Sequence, residues 1–348
     1  MKPIEKPRRP RDEGAVTLQH VAELAGVHPM TVSNALKGTG RVADGTRERI
    51  QRIARELDYR PNLAARALVT GRTGSVAVST GPVSEHFYAY LLYLLEAELK
   101  TSDYKMLFLR SRDMGQDLSS TLRNNSVDGI IAIDTFPDLR DLPRAGSKIP
   151  PCVYAGVFDP DAVVAMPIDH IKIDLTGAVR EALQLLLSRC KRVGYVTAND
   201  VMSDPNETRT SIYLDMMKAA GRVPEVINLQ IGSDSSRRDL TRQHALEYFQ
   251  THPAPDGLLC QNDELAIGVY RALRDLGLRI PEDVQLIGCD GLKDMEYFDP
   301  SLSSIVQPAE EMCALSWKFL QRRLANPDAP VQEATLCARL VVRDSVKP

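Results

Sequence analysis

The chain has 348 residues and a formal net charge of −3, but residues 1–74 hold 14 Lys and Arg against 8 Asp and Glu, so the head is basic and the remainder acidic. This length predicts more than one domain, and the basic head indicates either a polyanion-binding end or an ordinary charged surface. Six widely spaced cysteines and the lack of a long apolar run exclude a disulfide framework, a zinc site and a membrane span.

Residues 1–15 are charged and rich in proline, and they lack the apolar core of a signal peptide. We expect a disordered basic tail on a cytoplasmic protein. The tail either adds nonspecific contacts to phosphates or is a solvated extension.

Residues 16–60 predict three short helices. Thr17 is a candidate N-cap, Gly26 ends the first helix, Pro29 begins the second, and a third runs from about 44 to 57. Apolar residues form an inward stripe on the first two helices: Leu18, Val21, Ala22, Ala25, Val32, Ala35 and Leu36. Two helices joined by a tight glycine turn are typical of a helix-turn-helix, although any small three-helix bundle shows such stripes.

Several short segments of the head resemble the DNA-binding headpiece of the LacI/GalR family of bacterial transcription regulators. They are residues 16–18, 25–27, 31–33 with Leu36, 42–50, 57–62 and 65–68. The resemblance implies that the second helix reads DNA bases in the major groove. The DNA-binding residues that it implies here are Thr17, Leu18, His28, Pro29, Met30, Thr31, Ser33, Asn34 and Lys37.

The segment after Pro61 is helix-competent but too short to be a stable helix alone. Residues 61–74 are therefore either a floppy linker or, as the resemblance implies, a hinge helix and linker. A family hinge helix orders in the minor groove and wedges a leucine between base pairs, which costs a few kcal/mol of stacking. By position the wedge is Leu68, with Asn62, Ala65 and Arg66 as further contacts.

From residue 75 onward, buried strands alternate with helices, which predicts parallel sheets. The predicted strands are 75–79, 105–109, 129–133, 192–197, one near 226, 257–260 and 284–288, and the predicted helices are 87–100, 117–123, 175–187, 209–220, 238–249, 264–275 and 309–324.

The resemblance extends to this body and implies a two-lobed, periplasmic-binding-protein-like α/β domain over residues 75–348 that binds ligand and dimerises. We expect lobe one at about 75–171 and 305–330, and lobe two at about 172–304 and 331–345. A cleft between two such lobes binds a small molecule. Because no leucine heptads follow Arg343, we expect a homodimer.

Five residues are predicted to line the cleft. By resemblance Arg209 holds hydroxyls, a carboxylate or a phosphate, and a helix-surface role is its alternative. Asp263 is expected to cap a helix, with or without facing ligand, and Asp290 follows the carboxyl end of a strand, where open sheets place ligands. Phe87 and Tyr88 either stack on a ligand ring or belong to the core.

The sequence departs from the family pattern at three places. Asn34 stands where arginine is common, Arg189-Cys190 replaces Gly-His, and the Asp-Asn pair near the lobe crossover is blurred over residues 169–174. Asn34 offers a bidentate contact to adenine, and Met30 offers an apolar contact to a thymine methyl.

Taken together, these features predict a ligand-responsive regulator, a repressor of an operator on double-stranded DNA, with a sugar-like effector. No catalytic or metal-binding motif is recognisable, so we expect no enzyme, no cofactor and no metal. The alternatives are a sensor that has lost sequence-specific DNA binding and an enzyme fused to a helix-turn-helix.

Overall fold

The computed structural model describes residues 16–59, 72–102, 104–109, 127–135, 150–157, 168–198, 207–231 and 237–347. The chain divides into two compact units, with the boundary in sequence between Thr73 and Gly74. The predicted tail at 1–15, the predicted hinge helix and the predicted helix at 117–123 lie outside the described residues.

The first unit contains the three predicted helices, α1 (Leu18–Ala25), α2 (Pro29–Lys37) and α3 (Asp44–Glu56). The Thr17 hydroxyl accepts a hydrogen bond from the His20 amide, and Gly26 ends α1 with φ at 62°, so both predicted boundary residues of α1 are confirmed. The predicted inward stripe is largely confirmed as well, because a small core forms from Val21, Ala22, Ala25, Val32, Ala35, Ile50 and Ala54, with Leu18 and Leu36 packed against it.

The second unit contains two sheets, of which six strands each are described and in which nearly all described strand pairs are parallel. The first has the order β11-β5-β4-β3-β1-β2. Its strands are β1 (Ser75–Ser79), β2 (Lys105–Leu109), β3 (Gly129–Ile133), β4 (Cys152–Gly156), β5 (Asp169–Asp174) and β11 (Glu333–Cys337). Helices α4 (His86–Lys100) and α9 (Ala309–Ala325) pack with this sheet, which together with them forms lobe one.

The second sheet has the order β12-β10-β9-β8-β6-β7, with only β12 antiparallel among its described strands. Its strands are β6 (Val193–Thr197), β7 (Glu225–Asn228), β8 (Gly257–Cys260), β9 (Gln285–Asp290), β10 (Ser303–Val306) and β12 (Arg339–Val341). The remaining elements of lobe two are α5 (Thr176–Arg189), α6 (Thr208–Ala219), α7 (Arg237–Thr251), α8 (Asp263–Asp275) and a 3-10 helix (Lys293–Tyr297).

The chain passes between the sheets three times, after β5, after β10 and between β11 and β12. The predicted lobe bounds differ from this sheet membership in three places. β5 lies in the first sheet to Asp174, β10 lies in the second sheet to Val306, and β11 pairs with β5 although residues 331–345 were assigned to lobe two.

Strands β4 and β5 were not predicted. In β5 the cause is visible, because Asp169, His170, Lys172 and Asp174 interrupt the apolar run that marks a buried strand. Asp169 is nevertheless buried, and its cost is offset by partners that lie far away in sequence.

Asp169 joins three segments of lobe one. Its carboxylate accepts hydrogen bonds from Arg323 Nε (2.9 Å) and Nη2 (2.6 Å) on α9, and from the Gln332 amide (2.8 Å) just before β11. Burial alone would raise the pKa of Asp169, but these hydrogen bonds hold it below its usual value. The ion pair therefore fixes β11 and α9 against β5 close to two of the crossings.

Asp169→Asn should lower the free energy of unfolding by about 3 kcal/mol at pH 7, because Arg323 would remain largely buried without its counter-charge. The folded-state pKa is lowered, so this contribution is present above the unfolded pKa, near 3.9, and is lost as the pH falls through the folded-state value. Urea unfolding at pH 7 and pH 3 measures both effects. Asp283→Asn, which removes an exposed pairing with Arg279, is the control, and an equal loss in that variant would contradict the prediction.

Candidate functional site

The first candidate surface is the exposed side of α2. Met30 is the most exposed of the predicted contact residues of α2 whose side chains the structure describes, with 65% of its surface accessible, and Pro29, Thr31, Ser33 and Asn34 are half-buried. The side chain of Lys37 and the residues Asn62, Ala65, Arg66 and Leu68 lie outside the described part of the chain.

Three of the predicted DNA-binding residues also shape this unit. Thr17 caps α1, Leu18 packs against the small core, and the His28 ring accepts a hydrogen bond from the Met30 amide (3.2 Å) at the start of α2. Pro29, at the first position of α2, has no amide hydrogen that would need a partner. His28 and Pro29 therefore fix the start of α2, where Met30 projects outward.

Asn34 lies against the loop between α2 and α3. A Cβ on Gly40 would come within 2.9 Å of Asn34 Nδ2, and the φ of 71° at this position favours glycine. The half-buried Asn34 side chain thus lies beside the loop that follows α2.

The second candidate site lies at the carboxyl ends of the strands in the second unit. In lobe one, Tyr88 of α4 and Asp134 after β3 lie together, with the Tyr88 hydroxyl donating to Asp134 Oδ2 at 3.5 Å. Asp134 also accepts from the Val157 amide at 3.0 Å. Glycines make room for both groups: a Cβ on Gly81 would lie 2.3 Å from the Tyr88 ring, and one on Gly156 would lie within 2.3 Å of Asp134 Oδ1.

In lobe two, Arg209 lies in the first turn of α6 and is held by fixed partners. Its Nε donates to Glu207 Oε1 at 2.5 Å, and its Nη1 donates to the Gln261 carbonyl at 2.7 Å. Burial would lower the pKa of the guanidinium, but the carboxylate of Glu207 raises it well above its usual value, so Arg209 stays charged.

Asp290 ends β9 with φ at 127°, a conformation that residues other than glycine rarely adopt. Its Oδ1 accepts from Gln307 Nε2 at 2.9 Å, and only 8% of the residue is exposed. Burial, and then the nearby Asp263 carboxylate, raise the pKa of Asp290 well above its usual value. Such backbone strain together with an unfavourable charge is typical of functional positions.

Asp263 has a different position from the predicted one. Asn262 is the N-cap of α8, and it accepts from the Leu265 amide, so the prediction that Asp263 caps this helix is wrong. The fully buried carboxylate of Asp263 instead accepts from the Gly291 and Leu292 amides and from the Ser304 hydroxyl, all at 2.8 Å or less. Asp263 therefore fixes the loop that follows Asp290.

Phe87 belongs to the core. It is 4% exposed and shares the buried face of α4 with Leu91, Leu95 and Leu99, which recur at four-residue spacing. Tyr88, the next residue, points away from that face towards Asp134.

The polar groups of the two lobes act on one another electrostatically. Burial raises the pKa of Tyr88, and the carboxylates of Asp134, Glu85 and Asp290 raise it further, while Arg209 lowers it. Burial also raises the pKa of Asp134 despite its hydrogen bond from Val157. The cleft residues that the structure describes thus include more carboxyl groups than basic groups.

Sequence reasoning missed Asp134, Glu85, Glu207 and Gln307. Asp134 follows the carboxyl end of a correctly predicted strand, so the rule that pointed to Asp290 would also have identified it. Glu207 and Gln307 carried no comparable signal, because their roles depend on Arg209 and Asp290 in the folded chain. Among the described residues, no cluster of His, Cys, Asp and Glu could hold a metal ion, and no helix is long and apolar enough to cross a membrane.

Two family descriptions match this chain. Residues 17–62 match "Bacterial regulatory proteins, lacI family", and residues 182–346 match "Periplasmic binding protein-like domain". Together the two matches cover more than half of the chain.

Curated relatives match over nearly the whole length. The HTH-type transcriptional regulator CelR of Thermobifida fusca is 29% identical, with 98% of this chain and 100% of CelR covered. DegA of Bacillus subtilis (strain 168), also named an HTH-type transcriptional regulator, is 28% identical, with 95% and 98% covered.

Solved structures share the fold. A transcriptional regulator CelR–cellobiose complex has a TM-score of 0.65 at 26% identity, with 95% of this chain and 99% of that one covered. The lac repressor dimer bound to operator and the anti-inducer ONPF has a TM-score of 0.76 at 22% identity, with the same coverage. The predicted fold class, a helix-turn-helix followed by a periplasmic-binding-protein-like domain, is confirmed.

Asp290→Asn should raise the free energy of unfolding at pH 8 relative to the unchanged protein, and raise it much less at pH 4.5. The folded-state pKa lies above the unfolded value of about 3.9, so ionisation penalises the folded protein only as the pH rises past that value. Urea unfolding at both pH values measures the difference. Asp215→Asn, at an exposed position of α6, is the control, and an Asp290→Asn protein that is less stable at pH 8 would contradict the prediction.

Proposed function

We propose that this chain, which belongs to the lacI family of bacterial regulatory proteins, is a repressor. It binds a pseudo-palindromic operator as a homodimer and responds to a small effector held between its lobes. One observation carries the proposal: a helix-turn-helix unit shares the chain with a two-lobed unit in which Tyr88, Asp134, Arg209 and Asp290 lie at strand carboxyl ends. The relatives are regulators, and we propose no catalytic role and a cytoplasmic location, where operator DNA lies.

Base reading is assigned to the exposed face of α2. In a helix-turn-helix the N-terminal residues of the second helix contact base edges, a position that Met30 and Thr31 occupy here. The first helix crosses the DNA backbone, so we assign Thr17, Leu18 and His28 to contacts with DNA phosphates. Met30 offers its exposed thioether to a thymine methyl, and Asn34 offers its amide to adenine. Ser33 and Lys37 complete the surface, and Asn62, Ala65, Arg66 and the wedge residue Leu68 act in the minor groove.

An apolar surface of lobe one supports the homodimer. Tyr93 on α4 is 67% exposed, and Leu107 on the edge strand β2 is 39% exposed. Exposed aromatic and aliphatic side chains are favourable to bury against a second copy. A dimer through this surface would match the two-fold symmetry of a pseudo-palindromic operator.

The effector is a sugar or sugar derivative without net negative charge. Carboxylates of Asp134 and Asp290 accept hydrogen bonds from hydroxyls, Arg209 donates to ring or hydroxyl oxygens, and Tyr88 offers a ring face. The excess of carboxylates among the described cleft residues disfavours an anionic molecule, since its charge would face Asp134 and Asp290. The cellobiose complex of a relative agrees with this chemistry.

The effector acts through linkage. A molecule that binds one lobe arrangement better than the other shifts the population towards it and, through the dimer, alters the spacing of the two hinges. DNA affinity changes by the same coupling free energy, whose sign decides between induction and corepression.

Selection from randomised duplex DNA by the full chain should enrich a two-fold symmetric site of roughly 14 to 20 base pairs. Asn34→Ala should relax preference at one position in each half-site by about 1–3 kcal/mol, because a bidentate contact to adenine is lost. Gln51→Ala on α3, outside the reading helix, is the control and should leave the selected site unchanged. Failure of any sequence to be enriched, with or without sugars, would favour a sensor that has lost sequence-specific DNA binding.

Arg209→Ala should weaken sugar binding by about tenfold or more, because a charge-assisted hydrogen bond is lost, while operator affinity without sugar stays the same. Calorimetric titration with a panel of neutral sugars, beginning with cellobiose, measures the first quantity, and operator titration measures the second. Arg192→Ala, whose partner Glu225 lies at the opposite, amino end of the strands, is the matched control. Unchanged sugar affinity in the Arg209 variant would remove Arg209 from the site.

A further inference from the structure

Helix α4 begins without a cap of its own. The N-cap residue is Glu85, and its side chain makes no hydrogen bond to the amides of the first turn. The first four amides of a helix have no partner within the helix, and near the core each needs another acceptor. The acceptor for His86 comes from lobe two.

Glu264, the second residue of α8, is that acceptor. Its Oε1 accepts from the His86 amide at 3.1 Å and lies 2.8 Å from Nδ1 of the His86 ring. The Glu264 side chain is 2% exposed, whereas that of His86 is 58% exposed. A buried carboxylate of one lobe thus caps the helix of the other and interacts favourably with the positive end of its dipole.

Arg238 of α7 holds the Glu264 carboxylate within lobe two. Arg238 Nε donates to Glu264 Oε2 at 2.6 Å and Nη2 donates to Oε1 at 3.2 Å, while Nη2 also pairs with Asp294 at 3.1 Å. When the lobes separate, Glu264 therefore keeps its counter-charge and only the contact with His86 is lost. Breaking this one contact therefore leaves the Glu264 carboxylate paired with Arg238.

Two further contacts between the lobes involve the same end of α4. Arg237 Nε lies 2.9 Å from Glu85 Oε1, an ion pair without hydrogen-bond alignment, and Lys293 Nζ lies 5.4 Å from the centre of the Tyr90 ring. Tyr88, which faces the cleft, lies between these contacts in sequence, and the exposed Tyr93 follows one turn after Tyr90.

We infer that Glu264 is a positioning residue that couples closure of the lobes to α4, which carries both the cleft residue Tyr88 and the proposed dimer residue Tyr93. The inference rests on the proposed function, because it assigns the route from effector to dimer. Glu264 acts through α4: it accepts from the first amide of the helix and so favours the lobe arrangement in which that contact forms.

Hydrogen exchange of the full chain, without DNA or sugar, tests the contact itself. Glu264→Ala should speed exchange in peptides spanning residues 83–91 by about tenfold, the effect of losing one good hydrogen bond. Glu264→Gln keeps an acceptor oxygen and should restore most of the protection. The matched control is Glu310→Ala. Glu310 lies on α9 in lobe one and accepts a hydrogen bond from the hydroxyl of Tyr90 on α4 at 2.6 Å, so this variant removes an acceptor for α4 that does not come from lobe two. It should leave exchange at residues 83–91 within about twofold.

Operator titration with and without cellobiose, or the best sugar of the panel, tests the coupling. The ratio of the two affinities should fall about fivefold in Glu264→Ala and stay unchanged in Glu310→Ala, in line with typical coupling between sites. If Glu264→Ala does not fold, His86→Ala at an exposed position removes the ring contact and should speed exchange about threefold.

Unchanged exchange in both Glu264→Ala and His86→Ala, or an unchanged affinity ratio in a folded Glu264→Ala protein, would overturn the inference while operator binding stands. Absence of any selected operator would instead overturn the proposed function, and the exchange result would still report whether Glu264 caps α4.

Discussion

The cleft depends on one constraint: its carboxyl groups are buried, and basic groups and hydrogen-bond donors compensate only part of the cost of burying them. Asp169, Asp263 and Asp290 are all buried aspartates, yet each is treated differently by its neighbours. Asp169 has a full guanidinium partner and stays ionised, Asp263 has two backbone amides and a hydroxyl, and Asp290 has a single amide donor. Asp290 has the fewest hydrogen-bond donors of the three, and it ends a strand with a strained backbone. Of the three carboxylates it would therefore gain most from a hydrogen-bond donor on a ligand.

The sequence predicted local structure well where one residue determines it. Thr17, Gly26 and Pro29 bound their helices as expected, and most predicted strands of the second unit are within two residues of the observed ones, because caps and buried apolar runs are local signals. Strand β5 was missed because the buried Asp169 is stabilised there by distant partners, among them Arg323, which lies 154 residues away in sequence. The approximate lobe bounds at 305 and 331 also differ from the sheet membership of β10 and β11, since β11 pairs with β5, which lies far earlier in the chain.

The candidate site shows the same division. Arg209 and Asp290 lie at strand ends that the topology brings to the cleft, and position along the chain was enough to suggest them. Asp263 was misread because Asn262 competes with it for the cap, and adjacent Asn and Asp residues are equally good caps in isolation. What decides between them is the loop after β9, whose amides need the Asp263 carboxylate, and that requirement exists only in the folded protein.

Helix α4 unites these constraints. Its buried face, with Phe87 and Leu91, packs in the core of lobe one, its first turn is capped by lobe two, and Tyr88 faces the carboxylates of the cleft. A packed helix moves as a unit, because interiors resist continuous deformation. An effector that changes the distance between Asp134 and Asp290 therefore also changes the contact between Glu264 and His86. A shift of α4 that follows also moves Tyr93 on the exposed side of the same helix. On this argument the proposed route from effector to partner subunit needs no long chain of contacts, since α4 carries a residue of each proposed site.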